Sequence, residues 1–220
     1  MEEGRTVYDN IRKGIVFVMP TNGGEAGIVV IAIFFGMTLP ITPVQILWIN
    51  MVTAVTLALS LAFERAEADV MRRPPRDPRE PLLSAFMLWR IAFVSLLLMA
   101  GSIGLFLWEG AQGTGIEASR TVAVNALVVG EIFYLFNCRY LLAPVSSSAG
   151  MFGNRYVLIA IGVLLVLQAL FTYAPFMQEL FGTVAIGFAE WARITAFGVL
   201  LFAVVEIEKY LIGRGGAKAG

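Results

Sequence analysis

The chain has 220 residues, 58% of them hydrophobic and 15% charged, against the roughly 25% charge of soluble domains. That is too little polar surface for a water-exposed globule, and 16 Lys+Arg balanced by 16 Asp+Glu leave no basic field for nucleic acid. With no His and one Cys, Cys138, the composition excludes imidazole proton shuttling and an internal disulfide, and it argues against zinc, haem or iron–sulfur ligation.

An all-α integral membrane bundle of six helices is therefore expected. Residues 1–13 are charged and read as a short cytoplasmic stalk helix continuous with the first span; no cleaved signal peptide is expected there. A hydrocarbon core about 30 Å thick needs roughly 20 apolar residues as helix. Six stretches qualify, at about 14–36, 41–63, 83–108, 121–142, 156–175 and 190–212, followed by a cytoplasmic tail at 213–220. They are too long and too uniformly apolar for barrel strands.

In the first span, "MPTNGGEAGIVVI" interrupts the apolar run. Glu25 lies 11 residues beyond Gly14, about 16 Å along a helix and so close to the bilayer midplane. Asn22, three residues earlier, is expected on the same helix face. Pro20 removes a backbone donor and obstructs the Val16 carbonyl, while Gly23 and Gly24 weaken that turn and admit a close neighbour. Freed carbonyls beside a carboxylate and an amide are the chemistry of a hard-cation site. A structural role for Glu25, bonding a neighbouring helix, is the other reading.

The second span, "PVQILWINMVTAVTLALSLAF", repeats the pattern with Asn50 and Thr53 at i and i+3, and Thr56 a turn on. Local unwinding is expected near Asn50–Thr53, and Trp48 is expected to pack between helices. The loop from Arg65 to Arg79 holds five arginines and, up to Pro81, four prolines, the mark of a stiff extended connector. In the third and fourth spans, Gly101, Gly104 and Gly130, with Gly162 of the fifth, are expected at close helix contacts. The fourth, "TVAVNALVVGEIFYLFNCRYLL", carries Asn125, Glu131 and Asn137, with Glu131 and Tyr134 on one face; Glu131 is either on the ion path or an interhelical hydrogen bond. Glu206 and Glu208 sit beside Lys209 at the end of the last span and read as interfacial ion pairs. Lys and Arg concentrate at residues 5–13, 65–79, 139–155 and 209–218, with only Arg120 and Arg193 opposite. Both termini are thus expected in the cytoplasm, most simply across the plasma membrane.

In order, "EEGRTVYDNIRKGIVFVMPTNGGE", "LPITPVQILWINMVTA" and "RRPPRDPREPLL" resemble the C-terminal membrane domain of type II P-type cation-transporting ATPases, the calcium and sodium pump relatives. The resemblance covers nearly the whole chain and would supply the last six of ten transmembrane helices. It implies that Asn22 and Glu25 match fifth-helix ion ligands, and Asn50 and Thr53 sixth-helix ligands. Where the family has a bridging aspartate this chain has Ala54, and where calcium pumps place a carboxylate late in the eighth helix it has Leu141. Glu131, about three turns away, is not treated as the equivalent. A single divalent ion, a monovalent ion or a proton fits this thinner set.

The family forms an aspartyl-phosphate on a cytoplasmic domain, with ATP and Mg bound there. Neither "DKTGT" nor "TGDGVND" occurs in these residues, and the "PEGLP"-type helix is absent as well. The resemblance therefore implies an ion-translocating portion without catalytic residues or a cofactor of its own. Its partners would be the lipid bilayer and the N-terminal helices and cytoplasmic domains of a pump, whether split or truncated. The alternatives are a self-standing six-helix channel or secondary transporter, whose sites also use broken helices, and a structural membrane subunit.

Overall fold

A computed structural model describes residues 2–64, 71, 83–139 and 154–216, and all of its regular structure there is helical. Six helices are long and apolar enough to cross a membrane. The first, α1 (Glu2–Phe34), runs 33 residues, about 50 Å. It exceeds the hydrocarbon thickness because its charged first turns continue the helix without a break.

A capping box starts the second span, α2 (Pro43–Ala62), at Pro43. The Thr42 hydroxyl accepts from the Gln45 amide, the Gln45 side chain accepts from the Thr42 amide, and Pro43 needs no partner at the first helical position. This helix stays α-helical through Asn50–Thr53, where unwinding was expected. The irregularity comes one residue later, as a π-helical turn over Ala54–Ala58 before Leu59–Ala62 resumes the α-form. Such turns are rare and concentrate at functional sites. The Arg65–Arg79 loop lies outside the described residues except for Met71.

Ser84 caps α3 (Ala85–Ala111), and Asn154 caps α5 (Arg155–Tyr173) by accepting from the Tyr156 amide at 2.9 Å. Between them runs α4 (Ile116–Cys138), followed after α5 by the short α6 (Pro175–Phe181) and the long α7 (Phe188–Gly216). The centre of the bundle is α4, 89% of whose apolar window is buried, against 22% for α3 and α7. It packs on α3 and α7, α1 packs on α3, and α2 lies against α1 and α5. The faces turned outward carry Leu96, Leu107, Ile159, Val166, Val199 and Leu200, a surface suited to lipid and not to water. Trp48 packs between helices as expected, stacked on Phe171 at 5.7 Å and tilted against Phe181.

Ion pairs mark both ends of the bundle. At one end Arg90 meets Glu208 at 2.5 Å, Lys209 meets Glu206 at 2.7 Å and Arg139 meets Glu64 at 2.9 Å, so Glu206 and Glu208 are ion-paired as expected. At the other, Arg193 bridges Glu109 and Glu190.

The glycine expectations divide. A Cβ at Gly101 would sit 1.9 Å from Phe197, and one at Gly130 2.8 Å from Leu98, so both are close contacts. Gly104 and Gly162 have nothing within 4 Å: their faces of α3 and α5 meet no neighbour, and residue size cannot set which face does. Gly101→Ala is expected to force Phe197 out of place and lower stability by about 1–3 kcal/mol. Gly104→Ala should be neutral or stabilise by up to about 1 kcal/mol through helix propensity. Thermal unfolding of the two variants in one detergent checks the contrast; equal behaviour would mean that Phe197 is free to move.

Candidate cation site

Three helices converge on one buried group of oxygens. From α1 comes Glu25, 3% exposed. From α2, one turn before the π-helical segment, the Asn50 amide donates to Glu25 Oε2 and to the Ile46 carbonyl at 3.2 Å. This spends the Asn50 nitrogen and leaves its carbonyl oxygen free of the Glu25 contact. Thr53, one turn on and 6% exposed, donates its hydroxyl proton to the Ile49 carbonyl at 3.0 Å, which leaves lone pairs for another partner. Thr56 and Ser60 likewise back-bond to their own helix.

From α4 comes Glu131, fully buried, facing Thr53 and within electrostatic reach of Glu25. Neither of its oxygens has a hydrogen-bond partner among the described residues. Nor does any ion pair among the described residues involve Glu25 or Glu131. Two adjacent buried carboxylates without a counter-charge are costly, because desolvation and mutual repulsion act in the same direction. A cation or bound protons would offset that charge. Carboxylate, amide and hydroxyl oxygens suit a hard cation. No group of three or more His, Cys, Asp or Glu placed to hold a metal ion occurs among the described residues.

The structure brings Glu25, Asn50, Thr53 and Glu131 together, but not Asn22. The Asn22 side chain is exposed, on the outer side of α1, and makes no hydrogen bond to the other four-residue group. Three residues of separation is about 300° of rotation, enough to carry it past the edge of the buried face. Ala54 is likewise exposed.

The backbone reading also changes. Helix α1 passes through Pro20 without unwinding, and the Val16 carbonyl freed by the proline accepts from the Tyr134 hydroxyl at 2.8 Å. One of its two lone pairs is thus taken up by α4. Glu131, expected either on the ion path or in an interhelical hydrogen bond, is fully buried on α4, whereas Leu141 lies outside the described residues. Asn125 is absorbed in a satisfied network with Thr121, Gln168 and Thr172, and Asn137 bonds Glu206 at 2.7 Å. Sequence reasoning missed the roles of Tyr134 and Ser95; their signal was a hydroxyl on the face shared with Glu131 and one opposite the Gly23–Gly24 pair.

Residues 38–211 match the family model described as cation transporting ATPase, C-terminus. A probable cation-transporting ATPase F of Mycobacterium tuberculosis is 44% identical over 211 residues, 96% of this chain and 23% of the relative. The cation-transporting ATPase pma1 of Synechocystis is 36% identical over 197 residues, 87% of this chain and 22% of the relative. A calcium-transporting ATPase of Bacillus subtilis is 30% identical over 201 residues, 91% and 22% respectively. The chain thus spans less than a quarter of the length of these curated relatives.

Proposed function

Because this chain belongs to the cation-transporting ATPases, as their C-terminal membrane region, we propose that its six spans carry the cation across the membrane in an ATP-driven pump. Glu25, Asn50, Thr53 and Glu131 hold the ion in this reading. Asn22 and the exposed side of Ala54 face membrane helices that the remainder of such a pump would provide. ATP and Mg act in cytoplasmic domains outside this chain. Both termini lie in the cytoplasm of a plasma-membrane protein, in line with the clustering of Lys and Arg. The relatives named above are all ATPases, which favours this reading over a self-standing channel.

The observation that carries the proposal is the buried Glu25–Glu131 pair without a counter-charge. Two carboxylates balance one divalent cation, and Ala54 adds no third charge, so one divalent ion per chain is the expected load. Equilibrium binding of calcium, manganese and sodium to the full-length protein tests this. Glu131→Gln halves the formal charge and should lower divalent affinity by about 100-fold, since each tenfold corresponds to about 1.4 kcal/mol. Saturable binding that ignores Glu131→Gln would remove α4 from the site. No saturable binding of any of the three would remove the site.

A further inference from the structure

Pro20 has helix on both sides. Its missing N–H leaves the Val16 carbonyl without its helical partner. Val16 is 2% exposed, and inside a membrane bundle no water stands ready to bond that oxygen. The hydroxyl of Tyr134, itself fully buried, donates to it at 2.8 Å, and the Tyr134 ring stacks on Phe17 with centroids 6.1 Å apart. One turn later on α1, Ser95 of α3 donates to the Pro20 carbonyl at 3.0 Å. That approach needs Gly23, where a Cβ would come 2.4 Å from the Ser95 hydroxyl. Two neighbouring helices therefore grip the proline turn of α1 below Glu25. One of them does so three residues from Glu131.

We propose that Tyr134 is a positioning residue for the cation site: by capping the carbonyl that Pro20 frees, it locks the register of α1 on α4 and so holds the Glu25 carboxylate against Glu131. The inference rests on the cation-site reading above but concerns a residue that touches neither ion nor carboxylate. It explains why α1 tolerates a proline without unwinding, since the orphaned acceptor is satisfied from α4. It also explains a tyrosine in the last turns of a buried helix, where its hydroxyl would otherwise cost free energy.

Calcium binding to the full-length protein tests it in four forms: wild type, Tyr134→Phe, Pro20→Ala and the double variant, with Glu25→Gln as control. Tyr134→Phe deletes only the hydroxyl and should raise half-saturating calcium about tenfold, the equivalent of about 1.4 kcal/mol. In Pro20→Ala the residue 20 amide again bonds the Val16 carbonyl. The single and double Pro20 variants should then agree within about twofold, because the coupling has been removed. A binding defect that arises from altered packing around the Tyr134 ring, and not from the Val16 carbonyl, would not be cancelled by Pro20→Ala. Unchanged half-saturation in Tyr134→Phe, with Glu25→Gln inactive, overturns the proposal while sparing the site. A tenfold loss that persists in the Pro20→Ala background overturns it equally. If wild type binds no calcium, or Glu25→Gln binds like wild type, the site reading fails and the positioning role falls with it. Thermal midpoints of the same four proteins then report the hydroxyl–carbonyl bond by itself, which should appear as a Tyr134→Phe shift lost on Pro20→Ala.

Discussion

Glu25→Gln is expected to abolish cation-stimulated phosphorylation of the complete pump, with half-saturating cation raised by more than about 100-fold, or about 2.7 kcal/mol. The substitution keeps size and shape, and the glutamine carbonyl can still accept from Asn50, so the contact between α1 and α2 survives. What disappears is one of two negative charges at a site where desolvation makes each count for more than in water. The cation then meets Glu131 alone, and a divalent ion remains half neutralised. The direct measurement is phosphoenzyme formation from ATP against cation concentration, with expression and thermal midpoint as controls for folding. An unaltered cation dependence would take Glu25 out of the transport path and leave its bond to Asn50 as interhelical support only.

Arg90→Met should be the most destabilising single change among the ion pairs. The Arg90 side chain is 2% exposed and its Glu208 partner 11%, and the guanidinium also lies over the Phe86 ring at 4.9 Å. Removing the cation strands a buried carboxylate on α7, which costs about 3–5 kcal/mol. For a chain of this size that is a fall in thermal midpoint of roughly 10 °C. Exchanging both partners, in Arg90→Met with Glu208→Met, should recover most of the loss, since the pair itself offsets little more than its own desolvation. Additive losses in the double variant would show that Arg90 matters through its stem and the Phe86 contact instead. The neighbouring Lys209 pair, tied to both Glu206 and the Asn137 carbonyl, provides a comparison on the same helix.

Much of the site was legible because α1 and α2 announce it. Glu25 at midspan has no cheap explanation, and the short Gly36–Thr42 connection forces α2 back beside α1, which brings Asn50 opposite. Asn22 is exposed, because a three-residue spacing permits a shared face without guaranteeing one. The π-helical turn was misplaced by only a few residues, since a polar pair marks a region of irregular backbone better than it marks the type. Glu131 and Tyr134 were harder to assign. Their helix is buried on nearly every side, so its sequence has no polar stripe from which to read a direction.

Hydropathy alone determined that the chain is an integral membrane protein of six helices, because lipid admits no backbone that is not bonded internally. Residue spacing determined which two spans carry a midplane carboxylate and amide. Packing decided the rest: that α4 and not α5 is the central helix, that Gly101 and Gly130 meet neighbours while Gly104 and Gly162 do not, and that the Val16 carbonyl belongs to Tyr134. It also decided that Glu131 is fully buried without an ion-pair partner among the described residues. A helix buried on nearly every side can rotate about its axis at little cost in hydrophobic burial. Its orientation is set by shape and hydrogen bonding against its neighbours, which only the assembled bundle supplies.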